Sequence, residues 1–196
     1  MSKRLYLHVP ISDELWYRQK IMSDPDTMSY NKGYEEFEGY DKATGCIDFP
    51  KNKWKKWFDY FVGQEPDRFY AYIVRMEDNA FIGDVNVHKV SYAEFYEMGI
   101  VLEAKYRGKG YAMEALTLLL EYAFEKMNVP SVHNIFEDVR DAAVRTHLSA
   151  GFTEYKQENG MLELMITKEQ FEQRRLDRCK QDQIFESNAI RDDLEK

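Results

Sequence analysis

The stretch EMGIVLEAKYRGKGYAMEAL, residues 97–116, passes from strand through turn to helix. It opens as a strand in which Met98, Ile100, Val101 and Leu102 are apolar on both faces, the pattern of a strand central to a sheet. It then crosses a short basic turn, Arg107-Gly108-Lys109-Gly110, and leaves as an apolar-periodic helix. A helix N-terminus presents unsatisfied backbone N–H groups and a partial positive charge. Glycines at 108 and 110 let an anion come close to those groups, and Arg107 and Lys109 add charge, so the matching ligand is a phosphate. A Walker loop is excluded because no Ser or Thr follows the lysine, and a dinucleotide fingerprint is excluded because it needs a third glycine. Taken alone, the turn reads equally well as a plain glycine turn with solvated basic residues.

Three β-rich runs lie on the N-terminal side of this stretch: RFYAYIVRM (68–76), AFIGDVNVHKV (80–90) and FYEMGIVL (95–102). Short polar turns join them, which predicts an antiparallel meander. On the C-terminal side Ala112, Leu116, Leu119, Leu120, Ala123, Phe124 and Met127 form one helical face that Asn128 and Pro130 end. A strand over 131–139 follows, then a helix over 142–150 capped by Asp141 and closed by Gly151, then a hairpin of FTEYKQ and MLELMIT. The N-terminal part supplies a strand over 4–10 and a helix ELWYRQKIM capped by Ser12 or Asp13. A long aromatic connection over 24–50 leads to a helix over 51–62 carrying Trp54, Trp57, Phe58 and Phe61, with Gly63 as its stop. This order predicts an α+β, mixed α/β architecture, a largely antiparallel central sheet with helices on both faces.

A chain of 196 residues, 44% hydrophobic and 15% aromatic, has the size and composition of one folded domain. We place that domain at 1–167. The tail, 168–196, is charge-rich with sparse apolar positions at Phe171, Leu176, Ile184, Phe185, Ile190 and Leu194, and reads as a helix or two packed on the same domain. The net charge of −8 argues against a general nucleic-acid binder; it suits a cationic partner, or is a solubility property. Cys46 and Cys179 are expected as free thiols, no leader or membrane-length apolar run is evident, and a cytoplasmic protein with no membrane partner is expected. His8, His88, His133 and His147 never fall at ligand spacing with a cysteine, so no metal is expected.

Glu97 sits inside an apolar strand and is therefore partly buried, a setting that raises a carboxyl pKa and makes it a candidate base; a buried structural carboxylate is the alternative. With these flanks the stretch resembles the GNAT acetyltransferase superfamily, and within it the branch containing ribosomal-protein alanine N-acetyltransferases. The family's phosphate motif is Gln or Arg, two residues, Gly, one residue, then Gly or Ala. Arg107-Gly108-Lys109-Gly110-Tyr111-Ala112 matches it. The element order over 4–167 is similar too, and AAVRTHLSAGF (142–152) resembles the family's second cofactor helix.

The resemblance implies the GNAT-like acyl-CoA N-acyltransferase fold and acetyl-CoA as cosubstrate. It implies that the backbone from Gly108 to Ala112 holds the pyrophosphate, flanked by Arg107, and that the strand edge over Gly99, Ile100, Val101 and Leu102 pairs with the pantetheine arm. The active site is implied where this strand splays from the next, near 131–139. An amine with a pKa of about 10.4 must lose a proton before it attacks, and Glu97 is the candidate acceptor of that proton. A strand N–H near Val101 is the candidate oxyanion donor. His147 stands where many relatives carry an acidic tyrosine; it reads as an acid, a cofactor contact or a packed histidine. Arg140 and Ala143 depart from the Asn and Ser common in the branch.

Asp84, Asn86 and His88 alternate on one strand face, either lining an acceptor pocket or facing solvent. The loop over 30–50 interleaves Tyr34, Phe37 and Tyr40 with Glu35, Glu36, Glu38 and Asp41, as a cationic amine or plain solvation would have it. The expected activity is direct acetyl transfer to a primary amine, either a peptide N-terminus or a small amine, without a metal, by a monomer or homodimer. The alternatives are a non-catalytic acyl-CoA-binding or regulatory module of the same fold, and a protein-interaction domain with an incidental glycine turn.

Overall fold

The computed structural model of the chain describes residues 3–33, 38–91, 93, 95–177 and 180. Strands β1 (Leu5–His8), β2 (Arg68–Arg75), β3 (Ala80–Lys89), β4 (Tyr96–Leu102), β5 (Ser131–Glu137), β6 (Thr153–Glu158) and β7 (Met161–Thr167) form one sheet in the order β1-β2-β3-β4-β5-β7-β6. The meander is present as expected: β2, β3 and β4 pair antiparallel in sequence order. The β4–β5 pair is parallel and all the others are antiparallel. That parallel pair needs a crossover, and the helix predicted from Tyr111 supplies it.

Helices α1 (Leu15–Met22), α2 (Pro25–Met28), α3 (Lys51–Phe61), α4 (Tyr111–Glu125) and α5 (Asp141–Ala150) cover both faces of the sheet. The strand β2 shows why two layers form. Its sequence alternates, but both alternating sets are apolar. Phe69, Ala71 and Ile73 join the core under α4, with Val85, Val87, Met98, Leu116 and Leu120. Tyr70, Tyr72 and Val74 join the opposite core, with Leu15, Tyr17, Ile21 and Phe49. Each large apolar side chain buried this way contributes about 1.5–3 kcal/mol before entropy. The helix α3 has no fully buried residue and lies on the surface of this second core, Trp57 meeting Tyr70 edge-on at 4.7 Å between ring centroids.

Several helix ends differ from expectation. Neither Ser12 nor Asp13 caps α1; a single 3-10 turn over Ser12–Glu14 precedes it, and the Glu14 carboxylate accepts from the Ile11 N–H at 2.9 Å. A carboxylate reaching back satisfies an orphan donor without a hydroxyl cap. Asp141 is the first residue of α5, with Arg140 in the cap position. The connection over 24–50 is not structureless: Asp24 caps α2 and Pro25 occupies its first position. Gly151 closes α5 at φ 108 as expected, and the β6–β7 turn uses Asn159 and Gly160 at φ 53 and 77, the left-handed pair a tight hairpin needs.

A helix beginning at 168 runs through 177, with Phe171 buried against Phe124 at 5.2 Å between ring centroids. Cys179 and the positions from 181 onward, including Ile184, Phe185, Ile190 and Leu194, lie outside the described residues. Among those described, no helix is long and apolar enough to cross a membrane.

The feature that positions the site is where the parallel pair stops. The strands β4 and β5 pair only at Tyr96↔Val132 and Glu97↔His133. Beyond this, β4 stays paired to β3 through Leu102, while β5 stays paired to β7 through Glu137. The sheet therefore opens into a cleft from Met98 onward.

Candidate active site

Strand parity decides which backbone groups face the cleft. Val90 N–H donates to the Phe95 carbonyl at 3.1 Å and Glu103 N–H to the Ile82 carbonyl at 3.0 Å, bracketing the β3–β4 ladder. In an antiparallel ladder every second residue makes these exchanges, so Glu97, Gly99 and Val101 bond to β3. The polar groups of Ile100 and Leu102 point the other way, into the cleft. Arg107 Nε donates to the Leu102 carbonyl at 3.2 Å, which among the described residues leaves the Ile100 N–H and C=O and the Leu102 N–H open to a ligand. The Val101 N–H is thus turned toward β3, and the strand N–H groups near it that face the cleft are those of Ile100 and Leu102.

Two cavities meet at the cleft. The larger, about 850 Å³, runs from β4 to the start of α4 and along α5, and Ile100, Val101, Leu102, Arg107, Gly108, Gly110, Tyr111 and Ala112 line it. The smaller, about 380 Å³, lies over the α1 side of the sheet and is lined by Glu97, Gly99, Asp84, Asn86, Asn134 and Arg18 among others. Tyr30, Ile100, Val101, Arg140, Ala143 and His147 line both. Lys109 lines neither; its ammonium sits 5.7 Å from the Tyr106 ring.

The turn before α4 fits an anion. Gly108 and Gly110 have φ of 74 and 77, and a Cβ at Gly108 meets nothing within 4 Å, so that approach is open. Gly110 is the cap residue and has no side chain to satisfy the first-turn N–H groups. Glu114 in that first turn is the group that opposes a phosphate. It is bound instead by the Arg4 N–H at 2.6 Å, Arg4 Nε at 2.9 Å and the Leu5 N–H at 2.9 Å, which hold its pKa down despite burial and offset its charge. The Arg107 guanidinium is committed elsewhere: besides Leu102 it donates to the carbonyls of Asp26 at 3.3 Å and Thr27 at 2.5 Å. These residues suit the pyrophosphate of a CoA thioester through their backbone, with less side-chain charge than the sequence suggests.

Glu97 is about one-third exposed, its side chain retaining 34% of its accessibility, and its carboxylate lies 4.0 Å from His88 Nε2. Burial raises its pKa above the ordinary 4.5, the nearby Glu163 carboxylate adds to the rise, and His133 opposes it. His133 is itself held by Glu163, Nδ1 to Oε1 at 2.7 Å.

His147 is 2% exposed. Its Nδ1 lies 2.8 Å from the Ala143 carbonyl, which only accepts, so Nδ1 carries the proton. Nε2 then accepts from the Asn134 amide at 2.8 Å, and burial lowers the ring's pKa. A neutral ring with both nitrogens occupied orients Asn134, and because it also lines both cavities it fits the packed histidine and the cofactor contact among the three sequence readings better than the acid.

The sequence left Asp84, Asn86 and His88 between pocket and solvent. Asp84 is 1% exposed beneath α1, so the solvated reading fails for it, while Asn86 is half-buried and lines the smaller cavity beside it. Burial raises the Asp84 pKa against the pull of Arg18 and Tyr70. His88, with 35% of its side chain exposed, lies outside both linings. Tyr34, Glu35, Glu36 and Phe37 of the aromatic loop lie outside the described residues; Tyr40, Glu38 and Asp41 line neither cavity.

Asn134, Tyr30 and Arg18 were missed. Arg18 carried a signal: it falls within the stripe formed by Leu15, Ile21 and Met22, where an arginine is out of place. Tyr30 and Asn134 carried none, since the structure brings them to the cleft from distant segments. Among the described residues no group of His, Cys, Asp and Glu is arranged to hold a metal ion.

Comparison with known proteins agrees with this geometry. The Acetyltransferase (GNAT) domain matches residues 4–153. An uncharacterized N-acetyltransferase, YnaD, of Bacillus subtilis (strain 168) is 35% identical over 57 residues, 29% of this chain and 34% of that protein, so the match spans about a third of that relative's length. Among solved structures, a GNAT-family acetyltransferase from Bacillus anthracis superposes with a TM-score of 0.65 at 18% identity, covering 86% of this chain and 98% of that one. Spermidine N-acetyltransferase from Vibrio cholerae, in complex with CoA and spermine, superposes with a TM-score of 0.67 at 16% identity, covering 87% and 99%. At those identities the structures speak for the fold alone. On the domain match across most of its length, this chain belongs to the GNAT acetyltransferase family.

Proposed function

We propose that the chain is an N-acetyltransferase that moves an acetyl group from acetyl-CoA to a primary amine by direct attack. One observation carries the reading: the two cavities meet where β5 leaves β4, with an uncapped helix start along one and a half-buried carboxylate in the other. Bound acetyl-CoA supplies the activated acyl group as a thioester.

The residues divide the work by position. The N–H groups from Gly108 to Ala112 hold the pyrophosphate at the start of α4. The open N–H and C=O of Ile100 and the N–H of Leu102 pair with the pantetheine arm, as a strand edge pairs with an added strand. Gly99 keeps the adjoining wall thin. Whichever of the Ile100 and Leu102 N–H groups the arm leaves unpaired is the donor that meets developing negative charge in the cleft. Glu97 accepts the proton of the incoming ammonium, directly or through a water. His147 serves by holding Asn134; a thiol with an ordinary pKa of about 8.5 leaves without strong acid help, so no acid is assigned.

A primary amine is supported from two directions, which differ in its size. The branch resemblance favours a peptide N-terminus, and the spermidine acetyltransferase among the structural neighbours favours a small amine. The test is to supply acetyl-CoA with peptides, amino acid amides and polyamines and to follow release of free thiol. Turnover with at least one amine is expected. Tight CoA binding with no turnover on any of them overturns the reading.

A further inference from the structure

We infer that the acetyl acceptor is an amine that also carries a carbonyl or carboxylate oxygen, and that Arg18 binds this oxygen at the end of the smaller cavity away from Glu97. The inference rests on the acetyl-transfer reading for the role of the cavity, but its physical basis is separate.

Arg18 is fixed on several sides. Its guanidinium carbon lies 4.3 Å from the Trp57 ring centroid and 5.4 Å from those of Phe49 and Tyr70. Nη1 donates to the Tyr70 hydroxyl and to Asp84 Oδ2, each at 3.2 Å. Nη2 donates to nothing among the described residues, and the side chain keeps 19% of its exposure on the wall of the cavity. A guanidinium that is stacked and paired through Nη1, with its Nε buried, presents its Nη2 edge with little entropy left to lose. What that edge recognises is an oxygen acceptor.

The charges around it exclude a second ammonium. Asp84 is the carboxylate nearest Arg18, and it is buried with two donors already on it, Arg18 and the Tyr70 hydroxyl at 2.6 Å. Arg140 also lines the cavity, its Nε 2.6 Å from Glu137. A diamine would therefore bring its second charge to a wall of guanidinium groups. An oxygen there gains a charge-assisted hydrogen bond, while the ammonium at the other end meets Glu97.

The register gives the spacing. Asp84 stands opposite Val101 and His88 opposite Glu97. The two ends are thus four strand residues apart, roughly 13 Å between backbone positions. Even with side chains reaching inward, nitrogen and oxygen must stand several bonds apart, as in a dipeptide or an ω-amino acid.

Four amines of one length test this: 6-aminohexanoate, 6-aminohexanamide, hexylamine and hexane-1,6-diamine. Binding to the CoA-loaded protein is measured by calorimetry, and acetylation is measured separately by thiol release. The amide and the acid are expected to bind roughly tenfold or more tighter than hexylamine, the range of a hydrogen bond to a charged donor, and the diamine weaker than hexylamine. The acid and amide arms separate a carboxylate from a carbonyl. The Arg18→Met, Asp84→Asn double variant, which leaves no lone buried charge, should bring the ratio of the amide to hexylamine to about one. Arg18→Lys, keeping the charge without the planar edge, should give an intermediate ratio. Equal binding of hexylamine and its oxygen-bearing analogues, preference for the diamine, or a ratio unchanged in the double variant overturns the inference. Binding discrimination without any thiol release overturns acetyl transfer instead and leaves the oxygen site standing.

Discussion

Glu97 is kept from full solvation on a strand whose neighbours are apolar, and the effect of that burial can be read in two experiments. Its pKa lies above 4.5 because burial and Glu163 disfavour the charge. As a base it works deprotonated, so kcat/KM should rise with pH through that raised value. In Glu97→Gln that limb should vanish, leaving the amine's own ionisation, about 7.7–8.0 for a peptide N-terminus and about 10.4 for an alkylamine, and the rate should fall by roughly a hundredfold or more. The folded state also binds this proton more tightly than the unfolded chain does, so the group costs stability once pH exceeds its raised pKa. Glu97→Gln should therefore melt higher than the native protein at neutral pH and show no such gain near pH 4. An unchanged pH–rate profile sinks Glu97 as the base.

His147 has the opposite sign. Its folded pKa is lowered from 6.5 by burial, so the folded state resists a proton that the unfolded chain accepts. Stability is held above about 6.5 and lost as pH falls below it. Melting curves across that window should show the loss, and His147→Gln should flatten it. This residue shows the limit of sequence: a histidine on an apolar helical face has several roles open to it, and only the partners of its two nitrogens, Ala143 and Asn134, separate them.

At the scale of elements, the strands, the long helix and the hairpin were legible because their periods and turn residues are local. Parity was not. Which N–H groups of β4 face the cleft depends on how β3 pairs with it, a contact between distant segments. Two glycines expose the tolerance of that pairing. A Cβ at Gly83 would run into the Val101 backbone carbonyl, which cannot move without breaking the ladder. Gly83→Ala should cost about 1–3 kcal/mol in chemical denaturation. A Cβ at Gly99 would instead meet the Asn86 amide nitrogen at 2.6 Å, the end of a side chain that can swing. Gly99→Ala should change stability less than Gly83→Ala and, on the proposed reading, raise KM for the amine more than for acetyl-CoA, since Asn86 lines the smaller cavity. Equal stability losses at the two positions would contradict this account of the ladder.

The whole molecule holds its cleft open by splitting loyalty: β4 belongs to β3, β5 to β7, and the segment from Leu15 to Asn31 closes one side. Among the described residues that segment pairs with no strand, and it is clamped from outside. Arg107 reaches from the glycine turn to the carbonyls of Asp26 and Thr27, the Ala104 N–H donates to Thr27 Oγ1 at 3.0 Å, and Arg140 donates to the Tyr30 carbonyl at 2.6 Å. The basic residue that first suggested phosphate binding is thus a strut between the turn and the wall of the acceptor cavity. Sequence shows the charge of Arg107 but not its direction, because two of its three partners lie some eighty positions away. Arg107→Met should remove up to three carbonyl contacts and cost about 1–3 kcal/mol. Amide exchange should quicken over 24–31, where those carbonyls sit, before it quickens in α4. If the strut is its role, KM for the amine should rise while CoA affinity changes little. A large loss of CoA affinity with unchanged exchange over 24–31 would return Arg107 to the phosphate.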